Sequence, residues 1–224
     1  MSHDADEARR QFLIQALALG LFAATPLARA GQVPRQMPAG KSIYSLQGSL
    51  LVNGVVANLD TVISPNDKLV TGDNSQAIFV VGHDAFTLRA NSELQLSSHE
   101  QLVGGLRLVA GALLSVFGKS RHQIDTPTST IGIRGTGVYV EAQPDVSYVC
   151  TCYGTTEIKS SNGTTESVTS QHHDAPKYVT NKGEILPAGF FNHTDDELLL
   201  IETLVGRTTP FALFDDSYGG PKRY

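Results

Sequence analysis

Two cysteines, Cys150 and Cys152, are the only ones in this 224-residue chain, and a single threonine separates them. Three histidines follow in the order Cys-x-Cys-x19-His-His-x19-His: His172, His173 and His193. On an extended strand, residues i and i+2 face the same side, so both thiols point one way with Cα atoms about 6.6 Å apart. That separation is near the upper limit for a disulfide, and closing one requires the strand to bend sharply. Parallel thiolates at this spacing suit a shared soft metal ion or cluster. Two imidazoles would complete the tetrahedral set usual for structural zinc; iron–sulfur and copper are the other cofactors compatible with these ligands. The candidate ligands are therefore Cys150, Cys152, His173 and His193, with His172 as the alternate. Asp174, Asp195 and Asp196 are weaker oxygen donors. The spacing is not that of a standard zinc finger, and three other readings stay open. The pair could form a strained disulfide or bridge two chains in an oxidising compartment. His172 and His173 could be plain loop residues ahead of Ala175-Pro176.

The compartment is set by the amino terminus. Residues 8–15, ARRQFLIQ, lead into an apolar run ending near Ala24 and then TPLARAG. A basic start, a short apolar core and the small-x-small site Ala28-Arg29-Ala30 predict a cleavable signal peptide over residues 1–30. Arg9-Arg10, followed after one residue by Phe12 and Leu13, match a twin-arginine signal in part. A periplasmic product is expected, without a membrane span after cleavage. The twin-arginine route carries folded proteins, which suits a cofactor inserted before export. The leader holds three acidic and three basic side chains, so its removal leaves the formal charge at −5. Without a basic field to attract phosphate backbones, nucleic acid is not expected as a partner.

Residues 42–159 read as all-β: short runs of Val, Leu, Ile and Thr alternate with turn residues. GSLLVNGVVA predicts a hairpin turning at Asn53-Gly54. Strands are expected at 69–70, 77–81, 85–90 and around Leu94 and Leu96, with two more on either side of Gly111. The expected architecture is an antiparallel β-sandwich or short β-roll of about a dozen strands, with a short C-terminal helix.

Across roughly residues 46–160 the chain resembles the FecR domain. Gly72, Ser75 and Ala77 match the family's threshold strand. Thr126, Pro127, Gly132, Arg134, Gly135, Thr136 and Val140 match its terminal block, with Tyr139 near the usual aromatic position. The resemblance implies a free-standing sensing or binding module rather than a full sigma-factor regulator, because neither a cytoplasmic domain nor a retained membrane helix is expected. An envelope protein or polysaccharide is the implied partner. Without reference to the family, Gly132, Arg134, Gly135 and Thr136 read as a structural corner: the glycines allow a bulge, and the Arg fork ties nearby carbonyls or a carboxylate.

Residues 161–214 are expected to form an extension with one helix near 195–205. Thr194-x-x-Glu197 is a capping-box signature ahead of LLLIETLV, and Gly206 and Pro210 stop the run. Residues 215–224 read as a disordered tail. The chain holds no Gly-x-Ser-x-Gly elbow, phosphate-binding glycine loop or His-Glu-x-x-His motif. The paired carboxylates, Asp195-Asp196 and Asp215-Asp216, are adjacent in sequence and read as solvated. No catalytic residue is therefore expected. The expectation is an exported, non-catalytic binding or sensing module, the alternative being a protein that holds a metal or redox cofactor.

Overall fold

Strand pairing in this chain is continuous: fourteen strands join into one hydrogen-bonded sheet. The computed structural model describes residues 33–99 and 102–213. The signal peptide read over 1–30 and the tail read over 215–224 lie outside them. The strands are β1 (Ile43–Gln47), β2 (Leu50–Val52), β3 (Val55–Val56), β4 (Lys68–Thr71), β5 (Gln76–Val81), β6 (Asp84–Leu88) and β7 (Glu93–His99). They continue with β8 (Leu102–Val116), β9 (Arg121–Asp125), β10 (Ser129–Ala142), β11 (Val146–Ser160), β12 (Thr165–Ser170), β13 (Lys177–Thr180) and β14 (Ile185–Pro187). Helix α1 (Asp195–Leu204) and a 3₁₀ turn (Pro210–Leu213) close the described chain. The main path runs β14-β13-β11-β10-β9-β8-β7-β4-β2-β3, with β1-β5-β6 branching from β8 and β12 from β11. Pairing is antiparallel except between β8 and β9. The hairpin read at Asn53-Gly54 joins β2 to β3, both residues having the positive φ that a type I′ turn needs.

Three long strands bend so that each serves two sets of partners. The first part of β8 pairs with β7, and its end pairs with β6 and β10. The switch falls at Gly111, whose φ is +91° and whose missing Cβ would lie 2.5 Å from the Ser92 Cα. Gly111 therefore bends one strand rather than separating two. In β10 the register shifts between Arg134 and Gly137, around Gly135 at φ +56°. Opposite it, Gly154 bends β11 at φ +85°. Thr136 is fully buried between them and donates to the Thr155 carbonyl at 3.3 Å. The Arg-Gly-Thr block is thus a corner, with one correction. Arg134 is exposed and has no hydrogen-bond or ion-pair partner among the described residues, because the bulge turns its side chain outward. Backbone freedom at Gly135 and the buried Thr136 make the corner, and Gly132 lies on a regular stretch of ladder against Glu157.

Alternation along β10 and β11 sorts side chains onto two buried faces. Val138, Val140, Ala142 and Val149 enter the inner core with Phe79, Phe86, Leu108 and Leu113. Their neighbours Tyr139, Tyr148, Cys150 and Cys152 point the other way, where Leu198, Leu200, Ile201 and Leu204 of α1 cover them. Burying each such Leu or Ile is worth about 1.5–3 kcal/mol.

Beyond residue 160 the sequence reading has a helix only, yet β12, β13 and β14 extend the sheet there. Their apolar pattern is thin: in β12 (TESVTS) Val168 is the one buried apolar side chain, so the ladder with β11 holds it more than its own hydrophobicity.

The Gly111 bend has a measurable signature in urea unfolding. Gly163→Ala meets open space at φ +90° and should cost only the left-handed backbone penalty, about 1–2 kcal/mol. Gly111→Ala must also displace Ser92 and should cost about 3 kcal/mol or more. Equal losses would rule out a steric origin for the bend.

Candidate metal centre

Strand β11 lifts Cys150 and Cys152 onto the outer face, both fully buried and both free thiols. The loop after β12 brings His173 over them: its backbone N–H donates to the Cys152 carbonyl at 2.9 Å, and its φ of +55° turns the chain back. His193 arrives from the far end of the β14–α1 connection, directly before the helix cap. There the Thr194 side chain accepts from the Glu197 backbone while the Glu197 carboxylate accepts from the Thr194 N–H, the capping box read from the sequence. Arg89, just beyond the end of β6, pairs with Glu197 at 2.7 Å and donates to the Asn192 carbonyl, fixing the approach of His193.

These segments bring four donor atoms together within 4.8 Å of one another: both sulfurs, His173 Nδ1 and His193 Nε2. Cys150 Sγ lies 3.4 Å from His173 Nδ1, Cys152 Sγ lies 3.4 Å from His193 Nε2, and the two nitrogens are 3.2 Å apart. A tetrahedral zinc ion with two thiolates and two imidazoles has edges of about 3.6 Å between S and N and about 3.3 Å between the nitrogens. The shell is thus one ion wide. A two-iron cluster, placed between thiolates on one iron and imidazoles on the other, would hold sulfur and nitrogen farther apart than this.

The outer nitrogens fix which lone pairs face inward. His193 Nδ1 donates to the Phe191 carbonyl at 2.9 Å, leaving Nε2 as an acceptor toward the thiols. His173 Nε2 donates to Asp195 Oδ1 at 3.0 Å, so Nδ1 is the nitrogen that faces the thiols, an acceptor when the ring is neutral and a donor when it is protonated. Carbonyl and carboxylate partners of this kind orient metal-ligating histidines. Two buried lone pairs 3.2 Å apart repel unless positive charge lies between or beside them. A proton on His173 beside ionised Cys150 supplies it, or one ion takes its place with release of the cluster's protons.

The titration behaviour reflects this crowding. Burial opposes ionisation of Cys150, but hydrogen bonds from Cys152, His173 and His193 outweigh it and hold its thiol well below the usual range. Burial, reinforced by the neighbouring Cys150, pushes Cys152 well above it. Burial also works against protonation of His173, yet its bonds to Asp195 and Cys150 raise it to about 9. Of the pair, Cys150 loses its proton first.

Aromatic rings enclose the cluster. Tyr139 stacks on His193 at 4.4 Å, and Phe190 lies 4.4 Å from His173 and 4.7 Å from His193. On the solvent side stand His172 and Asp195, with side chains 30% and 49% exposed.

The four candidate ligands read from the sequence therefore meet at one point, and the alternate, His172, does not join them. Its Nε2 bonds the second Asp195 oxygen at 2.9 Å, so that His172, His173 and Asp195 form an outer group sharing one carboxylate. Asp174 staples its own loop by accepting from the backbone of Gln171 and His172. Burial raises Asp196, which joins neither donor group. Two roles escape the sequence reading. Asp195 follows the Thr194 cap directly and orients His173, a clue visible only once the helix start is placed. Tyr139 is opposite Cys150 in the β10–β11 register, which no local signal encodes.

No helix among the described residues is long and apolar enough to cross a membrane. No protein-family model matches the chain. No curated protein matches it either. It is similar to two crystal structures, at 1.65 and 2.50 Å resolution, of a protein described as a "putative anti-sigma factor" from Parabacteroides distasonis. Each shares 11% identity at a TM-score of 0.47, over 55% of this chain and 59% of the other, so the likeness spans less than two thirds of that protein's length.

Proposed function

We propose that this chain is an exported, non-catalytic FecR-like β module that binds one metal ion, zinc by preference, through Cys150, Cys152, His173 and His193. One observation carries the reading. Two imidazole nitrogens, each turned inward by an outer hydrogen bond, converge with two thiols, and two S–N separations and the N–N separation are close to the edges of a tetrahedral ion. Two sulfur and two nitrogen donors in a tetrahedron are zinc's preference, and four protein ligands leave no open position for substrate or water, the pattern of a structural site. The Arg9-Arg10 leader and the motif residues between Gly72 and Val140 support placement in a bacterial envelope, with an envelope protein or polysaccharide as the partner.

Protein purified through its native export route and analysed for metals is expected to hold one zinc per chain. Cys150→Ser, Cys152→Ser and His193→Ala should each lose it, while His172→Ala should keep it. Cobalt replacing zinc should give the visible spectrum of a tetrahedral two-thiolate site. Metal-free wild type that takes up neither ion would overturn the proposal.

Asp195→Asn probes the outer hydrogen bond separately. The amide is neutral and can present its NH₂ to His173, so zinc affinity should fall about 10- to 100-fold while stoichiometry stays at one. Competition against a chromophoric chelator measures the change; unaltered affinity would remove Asp195 from the site.

A further inference from the structure

The ligands do not come from one element, and their distribution suggests what the ion would control. Cys150 and Cys152 belong to β11, in the body of the sheet. His173 is tied to the same strand by its own backbone, independently of its ring. Strands β13 and β14 are laddered to β11 and to each other, so they too are held without the site. His193 differs. It stands beyond the last strand and one residue before the cap of α1, and its ring reaches the cluster from the helix side. Asp195, in the first turn of the same helix, grips His172 and His173. The helix start is therefore bound to the sheet through the donor cluster twice, once by a ligand and once by the carboxylate that orients another ligand.

Helix α1 covers an apolar surface. Beneath it lie Ile78, Val80, Leu114, Val116, Tyr139 and Tyr153, all buried. Among the described residues its other polar ties are Arg89 to Glu197 and Asn192 to Glu141 near the start, and near the end Glu202 with Tyr153 and with Arg207, which also donates to the His83 carbonyl. The Leu204 carbonyl also accepts from the Met37 backbone.

We infer that occupancy of the Cys150–Cys152–His173–His193 site works as a latch, docking α1 on the outer face of the sheet when an ion is bound and releasing it when the ion is lost. The inference rests on the metal-binding reading above and adds a regulatory consequence. With the ion present, His193 is fixed by a metal bond and the helix start cannot leave the sheet. Without it, His193 keeps its ring contacts to Tyr139 and Phe190, its bond to the Phe191 carbonyl, and hydrogen bonds to His173 and to the weakly bonding Cys152 sulfur in place of a metal bond. Release uncovers a tyrosine-rich apolar face on β10 and β11 while leaving the inner core intact, because the two faces are separate clusters on opposite sides of the strands.

Hydrogen–deuterium exchange on the mature protein tests this, with zinc alone as the probe, and metal content is measured on the same samples. On removing zinc with a chelator, amides of 195–204 should lose protection by at least about tenfold, while those of β8 and β10 keep theirs. Adding zinc back should restore protection. His193→Ala should show the released pattern with or without zinc; β8 and β10 serve as its internal measure of folding. One zinc bound with α1 protection unchanged on its removal overturns the latch and leaves the metal site standing. No zinc bound at all removes both.

Discussion

The outer face is organised around a repulsion that must be answered. Two imidazole nitrogens, buried and 3.2 Å apart, face the same point because their other nitrogens donate to Phe191 and Asp195, and with both rings neutral their lone pairs oppose each other. Such an arrangement is stable only when positive charge sits among the donors, and a proton on His173 or a bound ion supplies it. The distant features serve this point. The positive φ at His173 and Asn192 turns each histidine inward, the capping box fixes where α1 begins, and Arg89 anchors the segment carrying His193.

The sheet makes this possible by burying both of its surfaces. A half-buried antiparallel strand alternates apolar and polar residues; β11 instead buries Ser147 through Tyr153 without a break. From Ser147 to Cys152 odd and even positions serve two different interiors, one closed by the β8, β9 and β10 side chains and the other by α1 and the aromatic residues around Phe191, and Tyr153 beside the Gly154 bend joins the second. The bends at Gly111, Gly135 and Gly154 keep the two interiors apart by letting each long strand change partners midway. Charged groups are used sparingly here. Glu202, whose carboxyl burial raises, is matched by Tyr153 and Arg207 on the helix's far end.

Much of the strand content was legible because Val, Leu and Ile recur at period two between clear turn signals, as at Asn53-Gly54. The helix was legible from its cap and its apolar run. Strands β12 to β14 were not, since their stability comes from pairing with β11 rather than from their own side chains. The donor cluster was legible in its members: i and i+2 placement put both thiols on one face, and the histidines were the nitrogen donors nearest in sequence. What sequence could not specify was distance. That His173 rather than His172 turns inward depends on one backbone angle, and that Asp195 reaches His173 depends on where the helix begins in space. Arg134 erred the other way, since a motif residue with a forked donor head is simply left in solvent by the bulge beside it.

The separation of the donor residues along the chain also orders their assembly. His193 is 41 residues from Cys152, and Arg89 is 103 from Asn192. Contacts of such span carry a large loop-closure cost, which falls only after the intervening strands have paired. The β10–β11 hairpin, being local, forms its ladder early and presents two thiols on an open surface. The imidazoles come later, with the loop after β12 and then the approach to α1. A nascent chain of this topology therefore passes through a stage at which its cysteines are unshielded and their eventual partners are not yet in place. The order of folding, as much as the finished geometry, sets which chemistry reaches the sulfurs first.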